Sequence, residues 1–182
     1  MRRALSLIAL GATLFMAAAN GDASLALGTI RAVDTPRKNK DSWSVKGATI
    51  EGVDFATLEG IVENGLSAEL FNADAEDDPV DTVDFTKEDC KFLRNEQGVV
   101  CKIKGANLSI KLSTSSKRTK ESNKIGMKMI TLWNVAGSAR RREFEKDLTE
   151  DGLTLVVAGL TADADDCTEK TLANGQTRLT CA

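Results

Sequence analysis

The chain has 182 residues, with 24 Lys and Arg against 27 Asp and Glu, a formal net charge of −3, and neither histidine nor tyrosine. Without histidine there is no serine–histidine or cysteine–histidine nucleophile system, no imidazole metal site and no imidazole acid–base catalysis. The mildly acidic balance argues against generic nucleic-acid binding, which needs an excess of phosphate-neutralising charge.

The first segment reads as an export signal. Arg2 and Arg3 make a short basic start, and an uncharged apolar run extends from Ala4 to Ala19. Small residues suited to a signal peptidase stand at Ala17 and Ala19, Gly21 and Ala23, and Ser24 and Ala26. The run of about 16 apolar residues falls short of the roughly 20 that a membrane-spanning helix needs. Residues 1–26 are therefore expected to be a signal peptide, cleaved between about 19 and 26, with 27–182 forming a single domain in the periplasm or outside the cell. Loss of Arg2, Arg3 and Asp22 leaves 22 basic and 26 acidic side chains.

Period-2 alternation dominates the rest of the chain, the mark of half-buried strands. Trp43 and Val45 alternate with Ser42, Ser44 and Lys46. From Asp54 to Gly65 the period changes: Phe55, Leu58 and Val62 recur at helical spacing, Asp54 is a candidate N-cap and Gly65 a stop. Leu66, Ala68 and Leu70 then return to alternation against Ser67 and Glu69.

The acidic run Asp74, Glu76, Asp77, Asp78 and Asp81 comes next. Asp74, Glu76 and Asp78 here, and Asp163, Asp165 and Asp166 further on, are candidate calcium ligands, hard oxygens on loops between strands. Neither run fits the helix–loop–helix calcium pattern, and the plainer reading is carboxylates on solvated turns, with no cofactor at all.

Cys90 and Cys101 bracket a segment whose centre falls between Asn95 and Glu96. A hairpin with the loop Arg94-Asn95-Glu96-Gln97 sets Phe92 opposite Val99 on the side of the bridge, and opposed strand residues lie within disulfide reach. The next strand is the cleanest: Leu108, Ile110 and Leu112 are expected to be buried while Ser109, Lys111 and Ser113 are exposed. From Ser113 to Lys124 the chain reads as a polar loop. Its Lys117, Arg118, Lys120 and Lys124 are candidates for contact with an anionic surface such as a polysaccharide or phospholipid headgroups, against the plainer reading of a solvated connection.

Ile125, Met127, Met129 and Trp133 share one strand parity. Ser138 to Gly152 carries helix formers and a candidate Ser138 cap, but Arg140, Arg141 and Arg142 sit at the wrong end for the helix dipole. Leu153, Leu155 and Val157 make another short strand. Finally, Cys167 and Cys181 centre on Asn174, with Gly175 suited to the left-handed position of a three-residue loop, which pairs Thr171 with Thr177 and Glu169 with Leu179.

Four cysteines bracketing two hairpins in an exported chain read as the disulfides Cys90–Cys101 and Cys167–Cys181. Zinc knuckles need much closer spacing. The fold expected is mainly β: an antiparallel β-sandwich, immunoglobulin-like or related, with one or two short helices. The function expected is a non-catalytic binding or structural domain. Behind it stand a histidine-independent hydrolase or lyase using carboxylates or a serine–lysine pair, and a secreted inhibitor presenting Arg94 on a disulfide-braced loop.

Overall fold

The computed structural model describes residues 23–38, 40–73, 78–121, 124–149, 151–172 and 174–182, with the backbone alone over 114–121 and 124–131. Residues 1–22 of the expected signal segment, and the carboxylates of Asp74 and Glu76, lie outside the described residues, whereas Ser24–Ala26 at the end of that segment form a strand paired with 49–51 and bury Leu25.

In chain order the elements are β1 (Ser24–Ala26), β2 (Thr29–Asp34), β3 (Asp41–Glu51), α1 (Phe55–Asn64), β4 (Leu66–Asn72), β5 (Asp81–Phe85), β6 (Cys90–Phe92) and β7 (Gly98–Ile103). The long strands β8 (Ala106–Glu121) and β9 (Lys124–Arg142) come next, then β10 (Leu153–Val157), β11 (Leu160–Ala164), β12 (Cys167–Thr171) and β13 (Thr177–Cys181). They form a nine-stranded sheet in the order β12-β13-β2-β3-β9-β8-β7-β6, with β1 also paired to β3, and a four-stranded sheet in the order β11-β10-β4-β5. Every pairing is antiparallel.

Both sheets and the helix feed one buried core. Trp43, Val45, Leu108, Ile110, Trp133 and Val135 come from the large sheet, Leu66, Leu70, Leu153 and Leu155 from the small one, and Leu58 and Val62 from α1. These are the alternating rows of the sequence, and the pleat explains them: one parity of each strand faces the core, the other leaves it. The core-facing indoles keep polar partners, as buried tryptophans must. Trp133 Nε1 donates to the Val53 carbonyl at 2.7 Å, and Trp43 Nε1 to the Asp81 carboxylate at 2.6 Å.

Of the two segments with helix signals, one is a helix. Asp54 accepts the Thr57 N–H at 2.8 Å as N-cap, and the Gly65 N–H closes the end on the Val62 carbonyl. The stretch from Ser138 is strand as far as Arg142 and irregular beyond it. There the backbone amides find distant acceptors in place of helical ones: Phe144 N–H goes to Asp41 (2.9 Å), Glu145 N–H to the Val80 carbonyl (3.0 Å) and Thr149 N–H to Asn72 (3.1 Å). Asp41 and Asn72 are both buried, so these bonds strap 143–149 across the ends of both sheets and override a weak local helix preference.

Two further expectations are corrected around β8. Ser113–Lys124 is not a loop: β8 runs to Glu121 and β9 starts at Lys124, leaving only positions 122 and 123 between them. The polar composition concealed a strand whose partner across the hairpin carries the apolar positions Ile125, Met127 and Met129. Leu112 is exposed, at 37 %, although Leu108 and Ile110 are buried. Its parity is right, but β7 pairs no further than Lys111 and β3 no further than Leu132, so at Leu112 the hairpin is already leaving the covered part of the sheet.

Candidate functional site

A β-bulge near the end of β9 sets up the chemistry. Ser42 pairs with Arg140 and Asp41 with Arg142, so Arg141 is an extra residue without a partner on β3, and its φ is +60°. A bulge shifts strand parity by one and re-aims the side chains beyond it. Arg140 and Arg141 are both left exposed, and Arg142 turns inward between the sheets. There its Nε donates to Asp81 Oδ1 at 2.8 Å, its Nη2 reaches the same oxygen at 2.8 Å, and Nη2 also donates to the Thr82 carbonyl at 2.6 Å. Asp81 is buried and takes the Trp43 indole N–H on its other oxygen. The result is a charged clasp joining β3 and β9 of one sheet to β5 of the other.

The outward parity of the two sheets differs in charge. On the large sheet it contributes Lys91 (β6), Lys102 (β7), Lys111 (β8) and Arg140 (β9) on one flank. The other flank adds Lys46 (β3), Arg31 (β2), Arg178 (β13) and Lys170 (β12). Seven of these eight are exposed, Arg178 being half-buried, and Glu51 is the one carboxylate of that parity among residues whose side chains are described. Lys170 stands directly opposite Arg178. Like charges so placed oppose sheet formation, so this pair does not serve stability. The Arg178 Nε is moreover shielded from solvent with no hydrogen-bond partner. On the small sheet the outward parity holds Glu69, Asp84 and Asp163, and no Lys or Arg.

The densest part of the basic face is a groove of about 640 Å³ at the β7–β8 turn, lined by Lys102, Lys104, Asn107, Ser138, Arg140 and Arg141. Arg142 also borders the groove but is paired to Asp81, and Asn107 and Ser138 meet across the strands at 2.9 Å, leaving Lys102, Lys104, Arg140 and Arg141 to set the field. The arginine triplet is conspicuous in the sequence, but its division of labour is not, and neither are Lys102 and Lys104. The available signal was parity: Lys102 is one residue from Cys101, whose bridge fixes which side of β7 faces inward.

The cysteines stand where their spacing puts them. Cys90 and Cys101 lie opposite one another at disulfide distance, with Cα atoms 3.9 Å apart, and so do Cys167 and Cys181 at 4.0 Å. Thr171 pairs with Thr177 and Glu169 with Leu179, and Gly175 has a φ of +72°, as the turn chemistry required. Both pairs are compatible with an oxidising, exported environment. Arg94 lies in a loop whose next residues, Asn95 and Glu96, have φ of 56° and 57°, a tight primed turn rather than an extended segment. Gly98 then passes so close to β8 that a Cβ there would collide with the Ile110 carbonyl.

Of the candidate calcium ligands, Asp78 pairs with Lys146 at 3.0 Å and Asp163 accepts the Thr154 hydroxyl at 2.7 Å. Asp165 and Asp166 are exposed, and the described residues hold no grouping of three acidic or cysteine side chains fit for a metal. Lys117, Arg118, Lys120 and Lys124 sit on the outer stretch of the β8–β9 hairpin, where the backbone alone is described.

A second concavity, about 380 Å³, gathers carboxylates from three segments: Asp34, Asp41, Glu143 and Asp147, alongside Arg37 and Lys38. Burial, then Asp41 and Asp147, hold the Asp34 carboxyl above its ordinary range. Asp41 itself is committed to structure, accepting from the Thr35 N–H and hydroxyl as well as from Phe144.

No helix among the described residues is long and apolar enough to cross a membrane. No known protein family, no curated protein and no solved structure matches the chain.

Proposed function

We propose that the protein is an exported, non-catalytic binding domain of β-sandwich architecture, which docks an anionic surface on the outer face of its nine-stranded sheet. The observation that carries this reading is the segregation of charge: eight basic side chains against Glu51 on one face, in a chain whose net charge is −3. A broad field of one sign favours an extended anionic partner over a small molecule, which needs an enclosed apolar pocket. No aromatic residue stands among these cations, so base stacking has no platform.

The alternatives fare less well on geometry. An inhibitor loop that enters a protease binds as an extended strand, whereas the chain turns back immediately after Arg94. In the carboxylate concavity Asp41 is committed to structural hydrogen bonds, which removes it from acid–base chemistry. Retention of the purified protein on immobilised dextran sulfate, eluted by a salt gradient, tests the proposal. The protein is expected to bind at low ionic strength and elute as screening shortens the reach of the lysines. Flow-through at low salt would reject it.

A further inference from the structure

Lys87, Lys146 and Arg142 each have a carboxylate partner. In the groove at the β7–β8 turn, Lys102, Lys104, Arg140 and Arg141 have none among the described residues. The backbone holds these four together. Lys104 and Gly105 make the turn between Ile103 and Ala106, which are paired. The Arg140 N–H donates to the Gly105 carbonyl at 2.7 Å, tying that turn to the β9 bulge. Glycine is required at this approach, since its φ is +88° and a Cβ would lie 2.9 Å from the Arg140 carbonyl oxygen. In a regular strand neighbouring side chains leave on opposite faces. The bulge exempts Arg140 and Arg141, so two consecutive guanidinium groups are exposed and line one groove. Four cations so confined repel one another, a cost that an anion in the groove removes.

The donor set indicates which anion. A guanidinium is a planar fork that takes two oxygens of one acceptor. A carboxylate, with two oxygens and one charge, satisfies a single fork. A phosphomonoester has three terminal oxygens and close to two charges at neutral pH, enough for two forks and the flanking ammonium groups. A sulfate ester shares its tetrahedral shape but has one charge. Asn107 and Ser138 line the same groove with an amide and a hydroxyl, which suit a hydroxyl-bearing carrier. None of the lining residues is aromatic, so a nucleobase has no platform.

We propose that this groove binds the phosphomonoester group of a phosphorylated sugar, and is where the basic face grips its anionic partner. This rests on the reading of that face as an anionic docking surface. The pH dependence comes from the ligand. The charges around the groove are Lys102, Lys104, Arg140, Arg141 and the Arg142–Asp81 pair, while Glu143 lines the separate carboxylate concavity. The chain has no histidine, whereas a phosphomonoester loses its second proton at about pH 6, so affinity rises with pH through that value.

The test follows the backbone amides of isotopically labelled protein during titration with glucose 6-phosphate, glucose 6-sulfate and inorganic phosphate, with dextran sulfate retention in parallel. Glucose 6-phosphate should shift the amides of Lys104, Gly105 and Arg140. At about pH 7.5 it should bind about tenfold more tightly than the sulfate, and at about pH 5 within about twofold of it. Arg140→Lys with Arg141→Lys keeps the charge and removes both forks, and should cost about tenfold in affinity for glucose 6-phosphate. Equal affinity for the two esters at the higher pH, no amide shift in the groove, or undiminished affinity in the variant overturns the proposal, and retention on dextran sulfate then leaves the basic face standing. Failure of retention as well removes both. Inorganic phosphate binding as tightly as glucose 6-phosphate, or flotation with phosphatidic acid vesicles without shifts from glucose 6-phosphate, overturns the sugar carrier. Should the variant melt early, Lys102→Gln with Lys104→Gln replaces it, and affinity equal to the parent's again overturns the proposal.

Discussion

On the large sheet the outward positions hold Lys102, Lys111, Arg140 and their neighbours; on the small sheet they hold Glu69, Asp84 and Asp163. Both faces arise from the same pleat, and both cover the same core. What differs is the sign. A net charge of −3 averages over the two and describes neither, so a composition that argues against an anionic partner is compatible with a face built for one. Charge matters for recognition through where the fold puts it, since a cleft or face of one sign focuses its field while the far side is screened within about 10 Å at ordinary salt.

The separation between face and core can be broken most strongly from inside. Ile110→Ala, on β8, should lower stability by about 2–5 kcal/mol, because a fully buried branched side chain leaves a cavity. Its neighbour Ser109→Ala, on the outward parity, should stay within about 0.5 kcal/mol. Urea unfolding of the two variants checks the assignment, and equal effects would show that the strand parity is wrong.

Next in size is the clasp that holds the two sheets together. Arg142→Ala strands the Asp81 carboxylate between them, with only Trp43 left to it. The expected loss is about 3 kcal/mol, the low end for a broken buried pair, because Arg142 is partly exposed. A double-mutant cycle with Asp81→Asn should recover part of that loss, since it removes the unpaired charge. A loss confined to the surface range would mean that the clasp contributes nothing to holding the sheets.

The smallest effect concerns the carboxylate concavity. Burial and the neighbouring Asp41 and Asp147 hold the Asp34 pKa above its unfolded value. For an acid shifted this way the fold binds the proton more tightly than the unfolded chain does. Stability from this group is therefore greatest below the unfolded value and declines as pH rises through the folded one. Asp34→Asn should accordingly melt slightly above the parent at neutral pH, and the gain should vanish in acid below the ordinary aspartate value of about 3.9. Thermal melts across that range read it directly, and a variant less stable than the parent at neutral pH would assign Asp34 a favourable role instead.

Local features of this fold were legible in the sequence wherever one strand or one turn decided them. The rows Trp43/Val45, Leu66/Ala68/Leu70 and Leu153/Leu155/Val157 are buried as their alternation implied. The two cysteine hairpins have the register that their loops imposed. Features that depend on a neighbouring strand were not legible. Leu112 has the right parity but lacks a covering neighbour, and the Ser113–Lys124 stretch has the composition of a loop because its apolar partner row lies across the hairpin. Arg142 could be placed only by the bulge at Arg141, which depends on how β3 pairs with β9. The basic face lay in between. Alternation alone puts Lys46, Lys111 and Glu69 outward, but nothing local says that the lysines share a sheet and that Glu69 belongs to the other.

On the function proposed here, position on the large sheet, not net charge, confers affinity for an anionic surface. Its most direct measurement compares two triple variants, each losing three positive charges, for binding to dextran sulfate at fixed low salt. One is Lys102→Gln, Lys111→Gln, Arg140→Gln on the basic face. The other is Lys40→Gln, Lys87→Gln, Lys146→Gln, drawn from elsewhere, with Lys87 and Lys146 paired to Glu63 and Asp78. The face variant should bind at least about tenfold more weakly, or about 1.4 kcal/mol, with the second variant within about twofold of the parent. Equal losses in the two would contradict the account.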